Sequence, residues 1–390
     1  QVTRDAAVRH RHARFLPGGH EVFTLSDGTG ELEFQKFPAN GTSSPPSFLT
    51  AGGSNFRYEG FVSPDGKWLI FDDRDRQLWL QDLEKKTATL LAHCPAGEFE
   101  GMVWSPDSQW VAWAQPAANT VRQIFLHHVA DGTRLAATSD RTESYSPAWS
   151  ADGQWLYFLS DRELKSAVES PRGPRQPEPF FDKPAKIYGL ALTKDARWPF
   201  LPPDETQPAA AEEEGEDDEK PANPKPITIA AEGLTARLYE VPGEAGNYSA
   251  LSTAGGFLYW ISSGTGIKPA MKLERLKITN LKPEPVTLAE EIEDYELSAD
   301  GKKLLLRKED ALESWTFSFQ PRSEWRQMFT DSWRMMRDWF YDPKMHGVNW
   351  QAVREKYEPL VDRVADRQEL SDLISEMVGE LSALHIFVED

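Results

Sequence analysis

The chain has 390 residues, a formal net charge of −19 and a single cysteine. Such an acidic surface argues against a nucleic-acid partner or an anionic membrane, because both would require a basic patch. One cysteine excludes an intrachain disulfide and a cysteine-based zinc site, and no apolar run approaches the ~18 residues that span a bilayer. We therefore expect no nucleic-acid partner, no membrane, no metal and no other cofactor.

One phrase recurs through most of the chain: an apolar residue, Ser, Pro or Ala, Asp and Gly, followed by an alternating apolar run. The copies are FVSPDGKWLIFDD from Phe61, VWSPDSQWVAWAQ from Val103, AWSADGQWLYFLSD from Ala148 and ELSADGKKLLLRK from Glu296, with weaker ones from Phe15 and Leu251. The serines at positions 63, 105 and 150 are 42 and 45 residues apart. Self-similarity at this period is typical of a repeat architecture.

Each copy predicts a tight turn followed by strands. Proline presets φ, aspartate bonds the nearby backbone and glycine accepts positive φ. The run after the turn alternates between two apolar faces, as a strand buried on both sides does. Four short strands in ~40–47 residues are typical of a propeller blade. We therefore predict a mainly β protein with a β-propeller of about seven blades over residues 1–319; a β-sandwich, the main alternative, does not predict so regular a repeat.

An acidic segment interrupts the repeat at residues 201–226. It is rich in Pro, Ala and Glu and has almost nothing to bury. From Ser150 to Ser252 there are 102 residues, which we interpret as two blades plus this insertion. We predict that the insertion is a solvated surface loop without a function of its own.

The pattern changes from a period of two to a period of 3.6 after residue 319. Apolar residues from Trp325 onward follow one face of a helix. Asn349 is a suitable N-cap for a second helix, and Asp366 with Glu369 resembles a capping box for a third. A strand-like alternation then begins at His385. We predict a small helical subdomain over residues 321–384 and the first strand of an incomplete α/β core over residues 385–390, which we expect to continue beyond this sequence.

Most of the chemistry-bearing residues have ordinary explanations. His127 and His128 alternate along a strand, so their rings face opposite sides and cannot easily share a metal. Asp72, Asp73 and Asp75 resemble a calcium loop but lack its glycine and distal glutamate, so we interpret them as turn formers.

His385 stands apart because it lies at a helix-to-strand junction, a common place to present a side chain from a rigid scaffold. The residues alone leave open whether it is a core histidine or a functional one. There is no Gly-x-Ser-x-Gly elbow, phosphate-binding glycine loop or Cys-x-x-Cys in the sequence.

Residues 324–389 resemble the tricorn protease family. The resemblance is carried by Trp-Arg, by Phe-Tyr-Asp-Pro (340–343), by Met-His-Gly-Val-Asn-Trp (345–350) and by Gly-Glu-Leu (379–381) followed by His385. The upstream repeats look like the seven-bladed propeller of the same family. The similarity therefore extends over essentially the whole chain, densely at the end and by repeat pattern before it.

This resemblance implies a serine protease, a hydrolase acting as an endopeptidase or oligopeptidase in peptide degradation. It implies that His385 is the general base, and that the nucleophilic serine, the oxyanion-hole amides and the orienting acid lie downstream of residue 390. In the founding enzyme a serine immediately precedes this histidine and assists it. Leu384 occupies that position here, so the polar helper is absent at that spot.

The family also suggests partners and a compartment. It implies peptide substrates screened or routed by the propeller, a hexameric homo-oligomer and a cytoplasmic location, or a periplasmic one if an upstream signal peptide was removed. Two other readings stay open: a non-catalytic, TolB-like propeller interaction module with a helical extension, and a prolyl-oligopeptidase-like enzyme. The second of these predicts a nucleophile elbow after the propeller rather than this helical segment.

Overall fold

The computed structural model describes residues 8–41, 45, 47–53, 55–167, 180–202, 226–266, 268–281, 283–298, 301–308, 321–365, 367–383 and 388. The chain divides into two compact units. One unit comprises residues 1–60, 71–89 and 314–390, and the other comprises residues 61–70 and 90–313.

Within the described residues, five sheets hold four strands each, hydrogen-bonded in chain order. The strands of these sheets are β1 His10–Phe15, β2 Glu21–Ser26, β3 Glu33–Pro38 and β4 Ser47–Phe48; β5 Arg57–Val62, β6 Trp68–Asp73, β7 Gln77–Asp82 and β8 Thr87–His93; β9 Glu100–Trp104, β10 Trp110–Pro116, β11 Arg122–His128 and β12 Arg134–Ala136; β13 Ser144–Trp149, β14 Trp155–Asp161, β17 Ala185–Ala191 and β18 Leu238–Glu240; and β19 Asn247–Ala254, β20 Phe257–Ser263, β21 Met271–Lys277 and β22 Val286–Glu290. Two hairpins add β15 Ser166–Ala167 with β16 Phe180–Phe181, and β23 Asp294–Leu297 with β24 Leu304–Arg307. The prediction of a mainly β propeller is confirmed.

The predicted count of about seven blades is wrong, since five four-stranded blades are present in the described residues. The interval between Ser150 and Ser252 holds one blade rather than two. Its strands β17 and β18 are separated by a long excursion, from 192 to 237. β13 packs directly against both β9 and β19, and the Thr253 hydroxyl donates to the Trp149 carbonyl. The next blade therefore follows immediately, and the described residues of this interval add only the short β15–β16 hairpin to it.

The repeated turn is closed by local hydrogen bonds. In three copies the serine hydroxyl donates to the aspartate two residues on, at 2.6 Å each time, for Ser63, Ser105 and Ser150. The same hydroxyl oxygen accepts from the backbone N–H five residues on, at 3.1, 2.9 and 2.9 Å. A tryptophan occupies that fifth position in each case. Serine, aspartate and tryptophan thus close the turn and start the next strand together.

The period of the repeat corresponds to a contact from one blade to the next. The Trp104 indole N–H donates to the Phe61 carbonyl at 2.9 Å, and the Trp149 indole donates to the Val103 carbonyl at 3.3 Å. Each donor immediately precedes the serine of its own turn. The spacing found in the sequence therefore measures the step between equivalent positions of adjacent blades.

The first strand of four blades contains a β-bulge that the sequence pattern did not predict. The register shifts in β1, β9, β13 and β19. A residue with left-handed φ lies at each shift: His12, Gly101, Ser146 and Ala250. A bulge adds twist to its strand, and it gives these first strands a bend that simple alternation does not encode.

The end of the acidic insertion packs onto a blade turn. The predicted loop spans 201–226, of which 203–225 lie outside the described residues. The Ile227 N–H donates to the Asp107 carboxylate at 2.7 Å, and the Trp110 indole donates to the Ile227 carbonyl at 3.2 Å. The chain thus returns from the insertion onto the 105–110 turn.

The single cysteine is buried in the same unit. Cys94 is 2% exposed, and its thiol donates to the Pro116 carbonyl at 3.4 Å.

The helical part is compact and has its own core. Its helices are α1 Pro321–Trp339, α2 Trp350–Tyr357 and α3 Arg367–Gly379, with 3₁₀ turns at Met345–Gly347 and Glu358–Arg363. Asn349 caps α2 as predicted, accepting from the Ala352 N–H at 3.1 Å. Asp366 of the predicted capping box lies outside the described residues. No helix in the described ranges is both long and apolar enough to cross a membrane.

Two buried tryptophans join α1 to the start of α2. The Trp333 indole donates to the Trp350 carbonyl at 2.9 Å, and the Trp350 indole donates to the Trp333 carbonyl, also at 2.9 Å. The guanidinium groups of Arg337 and Arg354 lie over the Trp333 ring, at 5.2 and 5.0 Å from its centroid. This reciprocal pair fixes the relative placement of the two helices in the helical core.

Candidate functional site

His385, the general base suggested by the sequence, lies outside the described residues, as does the predicted strand at 385–390 except for Val388. Ala383, two positions before it, and Val388, three positions after it, are described. Ala383 and Val388 are partly buried and pack against the helical core. The described part of the candidate site is therefore the end of α3 and the contacts that hold it.

The exit from α3 is fixed by a tight turn around the buried Leu381. Leu381 is fully buried, and its N–H donates to the Val378 carbonyl at 3.1 Å. The Ser382 N–H donates to the Gly379 carbonyl at 2.9 Å, and Ser382 itself has a left-handed φ of 49°. These bonds satisfy carbonyls that a helix end leaves without intrahelical partners, and they set the direction in which the chain leaves.

A second anchor holds the neighbouring Glu380. Its carboxylate accepts from the Tyr357 hydroxyl at 2.9 Å and from the Lys356 ammonium. Lys356 and then Tyr357 lower the pKa of Glu380. Burial raises the pKa of the Tyr357 phenol, which therefore remains a donor to this carboxylate at neutral pH. The α3 exit is thus tied to the end of α2.

A third anchor comes from the loop between α1 and α2. His346 Nδ1 lies 2.8 Å from the Leu381 carbonyl oxygen. Since a carbonyl can only accept, Nδ1 carries the proton in this contact. Nε2 faces the Tyr341 hydroxyl, and the imidazole packs edge-on against the Phe340 ring at 5.0 Å between centroids. His346 thus connects this loop to the backbone four residues before His385.

Asp342 shapes the loop that carries His346. Its carboxylate accepts from the N–H groups of Lys344 and His346, both at 3.0 Å, and these two bonds lower the pKa of Asp342. Met345, His346 and Gly347 all have left-handed φ, of 52°, 54° and 82°. Three such residues in succession form a sharp reversal, held by the aspartate and by the buried Met345 side chain.

α1 also docks onto the first blade through charged side chains. Arg334 pairs with Asp27 at 3.4 Å and donates to the Gly30 carbonyl, and the side chains of Arg334 and Asp27 are 7% and 4% exposed. One turn along, Arg337 forms a bidentate pair with Glu31 at 2.7 and 3.1 Å. The helical part and the connection between β2 and β3 therefore form one structural piece.

The other sequence candidates are explained by packing and turns. Burial lowers the pKa of His127, while His128 Nδ1 lies 2.8 Å from the Asp131 carboxylate. Asp73 accepts from the Gln77 N–H and the Trp79 indole, as a turn former does. In the described part of the chain, no group of three or more His, Cys, Asp or Glu side chains could hold a metal ion.

Comparison with known proteins assigns the chain to a family. Residues 1–316 match the model of the tricorn protease second beta propeller domain, and residues 321–379 match that of the tricorn protease C1 domain. The chain belongs to the tricorn protease family. The boundary between the two domains coincides with the change from strands to α1, and the C1 match ends where α3 ends.

Individual relatives span the same region. Tricorn protease homolog 1 of Streptomyces coelicolor is 30% identical over 98% of this chain and 39% of its own length. The tricorn protease homolog of Saccharolobus solfataricus is 26% identical over 99% of this chain and 36% of its own length. A crystal structure of the tricorn protease superposes with a TM-score of 0.79 at 18% identity, covering 97% of this chain and 38% of that one. This chain thus spans less than two fifths of the length of these tricorn relatives.

Within this C1 region, sequence reasoning missed the residues that hold the α3 exit. The sequence motifs include His346 only within Met-His-Gly and Glu380 only within Gly-Glu-Leu, and neither motif predicts a contact for them. The signal that could have found His346 is the glycine after it, since a polar side chain beside Gly347 in a short loop suggests a left-handed turn. Its partner, 35 residues away, has no signal in local sequence.

Proposed function

We propose that this chain is the second-propeller and C1 portion of a tricorn-like serine endopeptidase or oligopeptidase, and that His385 is the general base. The base would take the proton from the nucleophilic serine and return it to the leaving amine. The serine, the oxyanion-hole donors and the orienting acid would be supplied by sequence downstream of residue 390.

The observation that carries this proposal is the C1 match, which ends at Gly379, the first residue of Gly-Glu-Leu-x-x-x-His. The helical core then contacts Ala383 and Val388 on either side of His385. The alternative, a TolB-like interaction module, gives no reason for a propeller to carry this helical segment. Leu384 remains a departure from the founding enzyme, and the proposal needs no polar helper at that position.

The remaining roles follow from the same resemblance. The propeller would screen or route peptides to the catalytic centre, and the assembled protein would be a cytoplasmic homo-hexamer. Mass photometry of the full-length protein tests the assembly: a dominant species of six subunits supports it, and a monomer at physiological concentration rules it out.

The chemical test uses the full-length protein with fluorogenic oligopeptides and a fluorophosphonate probe. We expect His385→Ala to reduce kcat by at least about 10³-fold, because the base is part of a catalytic unit. The exposed His20 in the first blade provides a matched control, and His20→Ala should leave turnover unchanged. Full activity of His385→Ala would refute the assignment.

A second experiment tests whether the nucleophile lies outside these 390 residues. The 390-residue chain alone should neither hydrolyse oligopeptides nor react with the fluorophosphonate, because it lacks the proposed nucleophile. Turnover by this chain that is lost on His385→Ala would show that the nucleophile lies within these 390 residues.

A further inference from the structure

The loop between α1 and α2 contains a histidine to which the proposed reaction assigns no role. We propose that His346 is a positioning residue: by holding the Leu381 carbonyl, it sets where the backbone enters the segment that carries His385. This inference rests on the proposed function, in which His385 is the general base.

The first argument is that the His346 side chain is held in one direction. Its backbone has φ 54° and ψ 26°, a left-handed conformation that is uncommon for residues other than glycine, although histidine adopts it more often than most. Such a conformation persists only where its surroundings determine it. Here the Asp342 carboxylate accepts the His346 N–H, and Phe340 and Tyr341 flank the ring. The loop is built to point this imidazole at one target.

The second argument concerns that target. The Leu381 carbonyl lies just past the end of α3, among groups that cannot be satisfied within the helix. His346 Nδ1 supplies its donor at 2.8 Å. His385 follows Leu381 by only four positions, a reach of at most about 14 Å of extended chain. The position of the backbone at Leu381 therefore limits the volume in which His385 can lie.

The third argument is that precision matters at this point. A general base must lie within hydrogen-bond reach of the proton it removes, about 2.6–3.2 Å between heavy atoms. Misplacement by ~1 Å can cost about 10²-fold in rate. A contact that holds the entry to the base-bearing segment is therefore expected to influence the chemical step more than substrate binding.

Two substitutions separate the hydrogen bond from the backbone conformation. Asparagine and glycine both accept the left-handed conformation. In His346→Asn the side-chain amide takes approximately the place of Nδ1 and can still donate to Leu381. In His346→Gly the donor is removed without straining the loop. The difference between the two variants isolates the contact with the Leu381 carbonyl.

The first measurement is amide hydrogen exchange of residues 380–388 in the 390-residue chain. We expect His346→Gly to exchange about 10-fold faster there and His346→Asn to exchange within about 3-fold of the parent chain, as expected for loss or retention of one local bond. Equal protection in the parent chain and in His346→Gly would overturn the proposed anchoring, whatever the catalytic chemistry turns out to be.

The second measurement is steady-state kinetics of the full-length protein. We expect His346→Gly to lower kcat by about 10- to 100-fold with KM changed less than about 3-fold, and His346→Asn to restore most of kcat. The acid limb of the pH profile of kcat/KM reports the pKa of the general base in the free enzyme. This limb should shift in His346→Gly and not in His346→Asn. A purely structural role would not produce this pattern.

The outcomes distinguish the two proposals. Faster exchange in His346→Gly with unchanged kcat would overturn the positioning role while leaving His385 as base. Activity retained by His385→Ala would instead refute the proposed function. Tyr341→Phe serves as a milder variant, since it removes only the hydroxyl that faces Nε2, and it should lower kcat by less than His346→Gly does.

Discussion

The blade turns and the α1–α2 loop are both tight reversals closed by an aspartate, but they are secured differently. At Ser105, every bond that closes the turn joins residues no more than five positions apart. Asp342 closes its own loop in a similar local way, yet the loop's outward contact, from His346 to Leu381, spans 35 residues. The bonds that close the blade turn are local and recur from blade to blade, whereas its contact with Ile227 and the contact of His346 with Leu381 each join distant residues at one place in the fold.

The largest expected effect lies where the helical part meets the first blade. Asp27→Ala should lower the free energy of unfolding of this region by about 3 kcal/mol, because it removes the buried carboxylate that pairs with Arg334 and accepts from Gln327. Arg334 then keeps only the weaker pairing with the less buried Asp331, at 3.5 Å. Urea unfolding followed by tryptophan fluorescence measures the change. Glu358→Gln is the control, since it removes only a half-exposed i,i+4 partner of Arg354 and should cost less than about 0.5 kcal/mol. Equal losses of unfolding free energy in the two variants would show that the buried pair contributes no more to stability than the exposed one.

A pair of tryptophans allows a direct comparison between the two regions. Trp350→Phe removes the donor to the Trp333 carbonyl inside the helical core, and Trp104→Phe removes the donor to the Phe61 carbonyl between blade positions. We expect a loss of about 2 kcal/mol for Trp350→Phe, since it removes a buried hydrogen bond and part of a core side chain, and about 1 kcal/mol for Trp104→Phe, whose bond is only partly buried. Thermal unfolding should show a larger shift for the first. A reversed order would mean that the repeat contacts contribute more than the unique ones.

The repeated turns predict equal effects at three places. Ser63→Ala, Ser105→Ala and Ser150→Ala each remove the hydroxyl that links an aspartate to a backbone N–H. Each should cost about 1–2 kcal/mol, because a buried polar group loses its partner. Lys67→Ala, an exposed position in the first of these turns, should stay within about 0.5 kcal/mol. A spread above about 1 kcal/mol among the three serines would show that the turns are equivalent in geometry but not in energy.

The smallest expected effect is a pH dependence of the α1–α2 loop. Bonds from the Lys344 and His346 N–H groups hold the pKa of Asp342 below its ordinary value of 3.8. Its contribution to stability is therefore complete above that value and is lost as the pH falls through the lower, folded-state pKa. Amide exchange at His346, corrected for intrinsic rates, should accelerate on acidification, and this change should be absent in Asp342→Asn. An unchanged response in that variant would assign the effect to another group.

Local patterns predicted the parts of the fold that local bonds secure. The Ser-x-Asp turns and the Asn349 cap could be predicted because donor and acceptor lie within five residues of each other. The blade count was wrong because a spacing of 102 residues cannot distinguish an additional blade from the lengthened connection between β17 and β18. The bulges at Ser146 and Ala250 were missed because nothing in ordinary alternation marks an extra residue.

The candidate site was predictable only in part, for a related reason. The Gly-Glu-Leu motif and His385 are contiguous in sequence and could be recognised together. The groups that place them are distant: Tyr357 contacts Glu380 from 23 residues away, and Arg334 reaches Asp27 across 307 residues. Such pairs depend on how the helices pack, and packing is decided by the core rather than by any local pattern.

The single cysteine gives this protein a built-in reporter. Cys94 is buried, and its side chain belongs to the unit formed by residues 61–70 and 90–313. A thiol reagent can therefore modify the native chain only when that unit opens, whereas amide hydrogen exchange within α1, α2 and α3 reports on the helical core. Labelling kinetics and amide exchange, recorded on the same protein, would show whether propeller and helical core open together or in sequence.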